Sequence, residues 1–112
     1  MRRDYNKLVR DRIPEIIQAS GKRCRVETMS EPEYRLALLE KLVEEAQEVR
    51  QAAPGELLAE LADIQEVLAA LMMAWQITPD QVKQVQRRRR AERGGFDQRV
   101  KLLWTEDGGE GV

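Results

Sequence analysis

The chain has 112 residues, 35% of them charged, and its 19 basic and 20 acidic residues nearly cancel, leaving a formal charge of −1. That length holds a single domain, and so balanced a charge excludes a generally basic binder of nucleic acid or membrane surfaces. Histidine is absent and Cys24 is the only cysteine. Serine–histidine and cysteine–histidine nucleophiles, histidine-ligated zinc and an intrachain disulfide are therefore ruled out, and a reducing cytoplasm is the expected compartment.

In chain order, the first twelve residues, MRRDYNKLVRDR, form a basic arm. They lack the apolar core of a secretory signal, and no later stretch nears the roughly 20 apolar residues a bilayer requires. Pro14 at a first helical position, apolar Ile13, Ile16 and Ile17, and a stop at Gly21 predict a short helix over about 13–20. Residues 25–29, with β-branched Val26 and Thr28, read as a short strand. Ser30-Glu31-Pro32-Glu33 reads as a capping box that opens a helix running to about Ala53, where Pro54-Gly55 breaks it. A third helix is predicted over about 56–75. Thr78 as N-cap and Pro79 behind it start a fourth, which Gly94-Gly95 ends near Arg93. Residues 96–104 read as extended, a candidate partner for 25–29 in a minor two-stranded β element. Residues 105–112 form an acidic, glycine-rich tail beyond a domain spanning 1–104. The fold class expected is all-α, with about four helices.

The two central helices carry the chemistry. At about 100° per residue, Leu36, Leu39, Leu42, Val43, Ala46 and Val49 make one apolar face of the second helix, with Glu45 and Glu48 on its edge. On the third, Leu57, Leu61, Ile64, Leu68, Leu71 and Trp75 make the expected core stripe. Glu60 and Asp63 flank it, in line with Val67, Ala70 and Ala74. An antiparallel hairpin of these helices aims Glu45, Glu48, Glu60 and Asp63 into one groove. Four converging carboxylates repel one another unless a cation neutralises them. Oxygen-only ligands favour Mg²⁺, with Mn²⁺ as a substitute, and Mg²⁺ commonly grips phosphate oxygens. Taken alone, E-E-x-x-E occurs in many solvated helices; the E-x-x-D on the next helix is what makes the pattern informative. Glu40 and Glu44 read as surface charges, or at best as helpers behind the ligands.

A polyphosphate also needs protein cations. Lys7, Arg10 and Arg12 in the arm, Lys41 between the acidic positions, and Lys83 and Arg93 in the fourth helix are the candidates. Arg87–Arg90 point all round their helix, so most of them are solvated. A nucleic-acid partner is disfavoured, because few aromatic residues accompany these charges. Met72, Met73 and Trp75 read as core or subunit packing.

Glu44-Glu45-x-x-Glu48 followed by Glu60-x-x-Asp63 resembles the signature of the MazG-like, all-α nucleoside triphosphate pyrophosphohydrolases. Tyr5-Asn6-Lys7-Leu8-Val9-Arg10-Asp11-Arg12-Ile13-Pro14 and Arg93-Gly94-Gly95-Phe96 resemble the flanking motifs of a compact subgroup, the phosphoribosyl-ATP pyrophosphohydrolase-like proteins. The resemblance implies a helical hairpin binding Mg²⁺ through Glu45, Glu48, Glu60 and Asp63, with Glu45 or Glu48 as the catalytic base. Lys7, Arg10 and Arg12 would then lie near the phosphates. It further implies cleavage of a nucleoside triphosphate to monophosphate and pyrophosphate, in nucleotide-pool house-cleaning, by a homodimer or larger homo-oligomer. Two other activities compete with it: hydrolysis of phosphoribosyl-ATP, and a non-catalytic helical module that binds a partner protein.

Overall fold

The computed structural model describes residues 1–107. It is all-α among those residues, with helices α1 (Ile13–Ala19), α2 (Glu31–Gln51), α3 (Leu57–Ala74) and α4 (Pro79–Arg93), and a 3₁₀ turn at Pro54–Glu56. The chain divides into two compact units, Met1–Pro79 and Asp80–Val112. Helix bounds agree with the sequence expectation to within about two residues. The β element does not form: residues 25–29 and 96–104 carry no strand. Part of the predicted tail, 108–112, lies outside the described residues.

Local chemistry accounts for the helix ends. Ser30 is the N-cap of α2, and its hydroxyl accepts from the Glu33 backbone N–H at 3.3 Å, one half of the capping box. Glu31 and Glu33 in the first turn and Arg50 in the last complement the helix dipole. Pro54 cannot continue α2, and the backbone turns extended at Ala52 and Ala53 before the 3₁₀ turn feeds α3. Gly94 adopts φ +84° just past α4, donating its N–H to the Arg90 carbonyl at 2.8 Å, a left-handed stop that favours glycine. Beside it, a Cβ on Gly95 would stand 2.5 Å from the Arg90 guanidinium. That guanidinium also reaches Asp97 at 3.4 Å.

Helices α2 and α3 pack as an antiparallel hairpin. Arg35, near the start of α2, donates to the Ala74 carbonyl at the end of α3 (3.2 Å) and lies 5.5 Å from the centroid of the Trp75 ring. Among the described residues, only Leu38, at 3% exposure, and Val67, at 8%, are buried apolar residues. This corrects the expected core. The packed line of α2 is Leu38, Leu42, Glu45 and Val49, whereas Leu36, Leu39, Val43 and Ala46 are exposed. On α3 the line through Glu60, Asp63, Val67, Ala70 and Ala74, read as a flank, is covered as well, and of the expected stripe Ile64, Leu68 and Leu71 are half-buried while Leu57, Leu61 and Trp75 stay exposed. The physical reason is size. Small side chains on α3 let the helices approach closely along that line, and the bulky residues are left on an outer face.

Candidate active site

The close approach of α2 and α3 brings acidic residues 15 positions apart in sequence onto each other. Ligand oxygens of Glu45, Glu60 and Asp63 all lie within 4.8 Å of one another. Glu45 is the buried member, at 7% exposure, and Glu60 and Asp63 are half-buried. Glu48, exposed one turn beyond Glu45, falls outside that close group, but its charge bears on both Glu45 and Glu60. The hairpin therefore brings three of the four carboxylates expected from sequence close together, with Glu48 outside that group.

The electrostatics of this arrangement are unfavourable as it stands. Burial first and then Glu48 push the Glu45 carboxyl above its ordinary value of 4.5, with Lys41 pulling the other way and the charge of Asp63 adding a lesser push. Glu60 is raised for the same leading reasons, with Glu56 adding to the repulsion. Glu45 Oε2 and Glu60 Oε2 are both shut off from solvent and accept no hydrogen bond. Buried polar atoms normally find a partner, and two orphan acceptors within one acidic group suit the binding of a cation. The donor set, carboxylate oxygens only, suits a hard divalent ion such as Mg²⁺ or Mn²⁺.

The cations sort into two groups. Arg10 Nη2 lies 2.6 Å from Asp63 Oδ1, and Lys7 Nζ lies 3.3 Å from Glu44 Oε1, so the arm is stitched to both helices at the acidic groove. Lys41 reaches Glu44 at 3.6 Å and Glu45 at 4.0 Å. Arg12, by contrast, pairs with Glu15 within the start of α1, at 2.9 Å, and not with the cluster. Lys83 lies on α4 and Arg93 ends it, both exposed and both in the second unit. Two features escaped the sequence reading. Glu44, taken for a surface charge, is the shared anchor of Lys7 and Lys41. Arg10, taken for a phosphate ligand alone, holds an acidic member of the cluster. No local spacing could reveal a pair 53 residues apart. Beside the arm, Asn6, Lys7, Leu8, Met29, Leu36 and Lys41 line part of an open groove of about 250 Å³.

A family model described as phosphoribosyl-ATP pyrophosphohydrolase matches residues 2–90, which takes in the arm, the hairpin and most of α4. The chain belongs to this family. It is an all-α, MazG-like group of hydrolases that cleave phosphoric anhydrides of nucleotides. An uncharacterized protein of Mycolicibacterium smegmatis is 56% identical over 45 residues, which cover 40% of this chain and 46% of that relative. The match thus spans under half of the relative's length. No solved structure matches the chain. Among the described residues, no helix is long and apolar enough to cross a membrane.

Proposed function

We propose that the protein is a Mg²⁺-dependent pyrophosphohydrolase that splits a nucleoside triphosphate, ribo- or deoxyribo-, between its α and β phosphates. The observation that carries the reading is that Glu45, Glu60 and Asp63 each offer a carboxylate oxygen within 4.8 Å of the others, and that Glu45 and Glu60 each also keep a buried oxygen without a partner. Glu45, Glu60 and Asp63 would hold the ion, with Glu48 beside them as a fourth oxygen donor. When bound, Mg²⁺ supplies positive charge against the phosphate oxygens and makes water more acidic.

The chain's own groups do the rest. Glu48, exposed and one turn from Glu45 on the same helix, is the carboxylate that would take a proton from the attacking water. The water oxygen bonds to the α-phosphorus as the α–β anhydride bond breaks, and pyrophosphate leaves with the electron pair. Lys7, Arg10 and Lys41, gathered at the edge of the cluster, offset the charge that builds on the departing pyrophosphate. The exposed apolar face of α2 and α3 supports a homodimer or larger homo-oligomer, since full burial of each Leu or Val there contributes about 1.5–3 kcal/mol. A cytoplasmic role in clearing unwanted nucleotides accords with the lone Cys24 and the nucleotide substrate.

The family description favours a second reading, hydrolysis of phosphoribosyl-ATP at the same kind of bond. The test covers both. Canonical and damaged nucleoside triphosphates and phosphoribosyl-ATP are incubated separately with the protein and Mg²⁺, and pyrophosphate and orthophosphate are scored. Pyrophosphate from the triphosphates, lost in Asp63→Asn, is the expected result. Release from phosphoribosyl-ATP alone would transfer the assignment to the second reading. Orthophosphate release, or full activity in Asp63→Asn, would overturn both.

A further inference from the structure

We infer that Arg10 is a built-in stand-in for the metal ion, holding the acidic cluster together until the divalent cation arrives and then swinging free to meet the nucleotide's phosphates. The inference rests on the reading of the cluster as a metal site and adds to it an order of events. Arg10 is the arm's closest contact with the cluster, a 2.6 Å pair between Nη2 and Asp63 Oδ1 that spans 53 positions of sequence. Four carboxylates lie along this groove, and among the described residues two protein cations pair with the three close members, Lys41 with Glu45 and Arg10 with Asp63. Lys41 is held on α2 itself. Arg10 is on the irregular arm.

Three properties make Arg10 a replaceable partner. Its side chain is 56% exposed and that of Asp63 41%, so water screens the pair and the contact is a weak latch. The segment that carries it has no regular secondary structure before α1, and its one backbone tie of note is the Ile13 N–H donating to the Arg10 carbonyl at 3.0 Å. Displacing the side chain therefore breaks no ladder of hydrogen bonds. A divalent ion on Glu45, Glu60 and Asp63 would also repel a guanidinium seated on Asp63 Oδ1.

Once released, the planar fork of Arg10 matches a phosphate's two oxygens, and it remains tethered at the rim of the site. Lys7, held on Glu44 by an equally screened pair at 3.3 Å, is the arm's second stitch and is freed with it. Metal loading and nucleotide binding are then coupled, because the ion releases the very group the phosphates need. Coupling of this kind is reciprocal, so nucleotide must also tighten metal binding. The rival geometry keeps Arg10 on Asp63 in the loaded enzyme, orienting that carboxylate for the ion. The two make opposite statements about metal affinity.

The experiment titrates metal-free protein with Mn²⁺ calorimetrically, for the wild type and for Arg10→Gln, Arg10→Lys and Arg12→Gln. Displacement requires Arg10→Gln to bind Mn²⁺ tighter, by up to about fivefold, the upper end of what a screened ion pair represents. Arg10→Lys should return toward the wild type, and Arg12→Gln, which removes the same charge from a residue paired elsewhere, should match it. In parallel, cleavage at Lys7–Leu8 by a lysine-specific protease reports the arm. Mn²⁺ should speed it in the wild type and leave it unchanged in Arg10→Gln, where the latch is already open. Equal or weaker Mn²⁺ binding by Arg10→Gln would overturn the swap while leaving the metal site in place. No Mn²⁺ uptake by the wild type would overturn the metal site and the swap together.

Discussion

Glu45 and Glu60 face each other across the α2–α3 hairpin with one oxygen apiece, Oε2 in both, cut off from water and without a hydrogen-bond donor. Each carboxyl is pushed up, by burial first and then by Glu48. A folded protein does not gain stability from such a pair. What the pair provides is a place where a cation gains more than it would on the surface, because the cost of gathering the charges has been met by folding.

The pH dependence of stability follows from the sign of those shifts. Glu45 and Glu60 bind protons more tightly in the folded than in the unfolded chain, where the ordinary value is 4.5. Their contribution is full below that value and is lost as pH rises through the raised folded values. Metal-free protein is therefore expected to melt at a lower temperature at pH 8 than at pH 5.5. Glu45→Gln should flatten this slope, and calorimetry of the two proteins across that range checks it.

Metal reverses the trend. An ion that binds only the folded state stabilises it by about 2.7 kcal/mol at one hundred times its dissociation constant. Because the ion displaces the protons these carboxyls hold, its affinity rises with pH. The melting temperature with saturating Mg²⁺ should exceed the metal-free value by more at pH 8 than at pH 5.5. A constant gap across pH would mean that Glu45 and Glu60 are not the ligands.

Glu45→Gln separates stability from activity. The amide keeps the shape of the side chain but removes the charge, so metal-free protein at pH 7.5 should gain about 1 kcal/mol, the scale of one buried unsatisfied group. Pyrophosphate release should fall on the order of 100-fold or more, beyond what the loss of a supporting hydrogen bond to a metal ligand produces. Equilibrium urea unfolding and a pyrophosphate assay on one preparation read both effects. A variant that is both less stable and fully active would place Glu45 in the core and outside the site.

How far these features could be read from sequence differs element by element. Ser30, Pro32, Pro54, Pro79 and Gly94 act on the few residues beside them, so the helix bounds were legible from capping and turn chemistry alone. The i, i+3 spacing of Glu45 with Glu48 and of Glu60 with Asp63 likewise survived folding, because each pair rides one helix face. The face that packs did not. Leu36 and Val43 are as apolar as Leu38, and nothing in hydrophobicity says which will meet α3 and which will meet something else. That choice fell to the small residues at 67, 70 and 74, whose effect is one of close approach. The strand at 25–29 failed for a related reason: β-branched residues favour extended backbone, but a strand needs a partner, and none pairs with it. The Arg10–Asp63 pair depends on where the arm lies across the hairpin, a tertiary fact with no local signature.

The outer face of the hairpin supplies the last prediction. Leu36 and Val43 are each 59% exposed, and Leu39 and Leu61 each 45%, an apolar surface far larger than the two buried side chains Leu38 and Val67 between the helices. A hairpin whose larger apolar face is wet cannot hold its acidic residues together against their repulsion by α2–α3 packing alone. On the homo-oligomer reading, a second copy covers this face and the groove is rigid only in the assembly. Val43→Glu puts a charge on that face two residues before Glu45, without touching a carboxylate of the cluster. It should shift the sedimentation coefficient to that of a 12.9 kDa monomer, and weaken Mg²⁺ stabilisation while leaving Glu45, Glu48, Glu60 and Asp63 unaltered. If Val43→Glu sediments as the wild type does and keeps the full Mg²⁺ effect, the face is free in solution and the hairpin alone sustains the site.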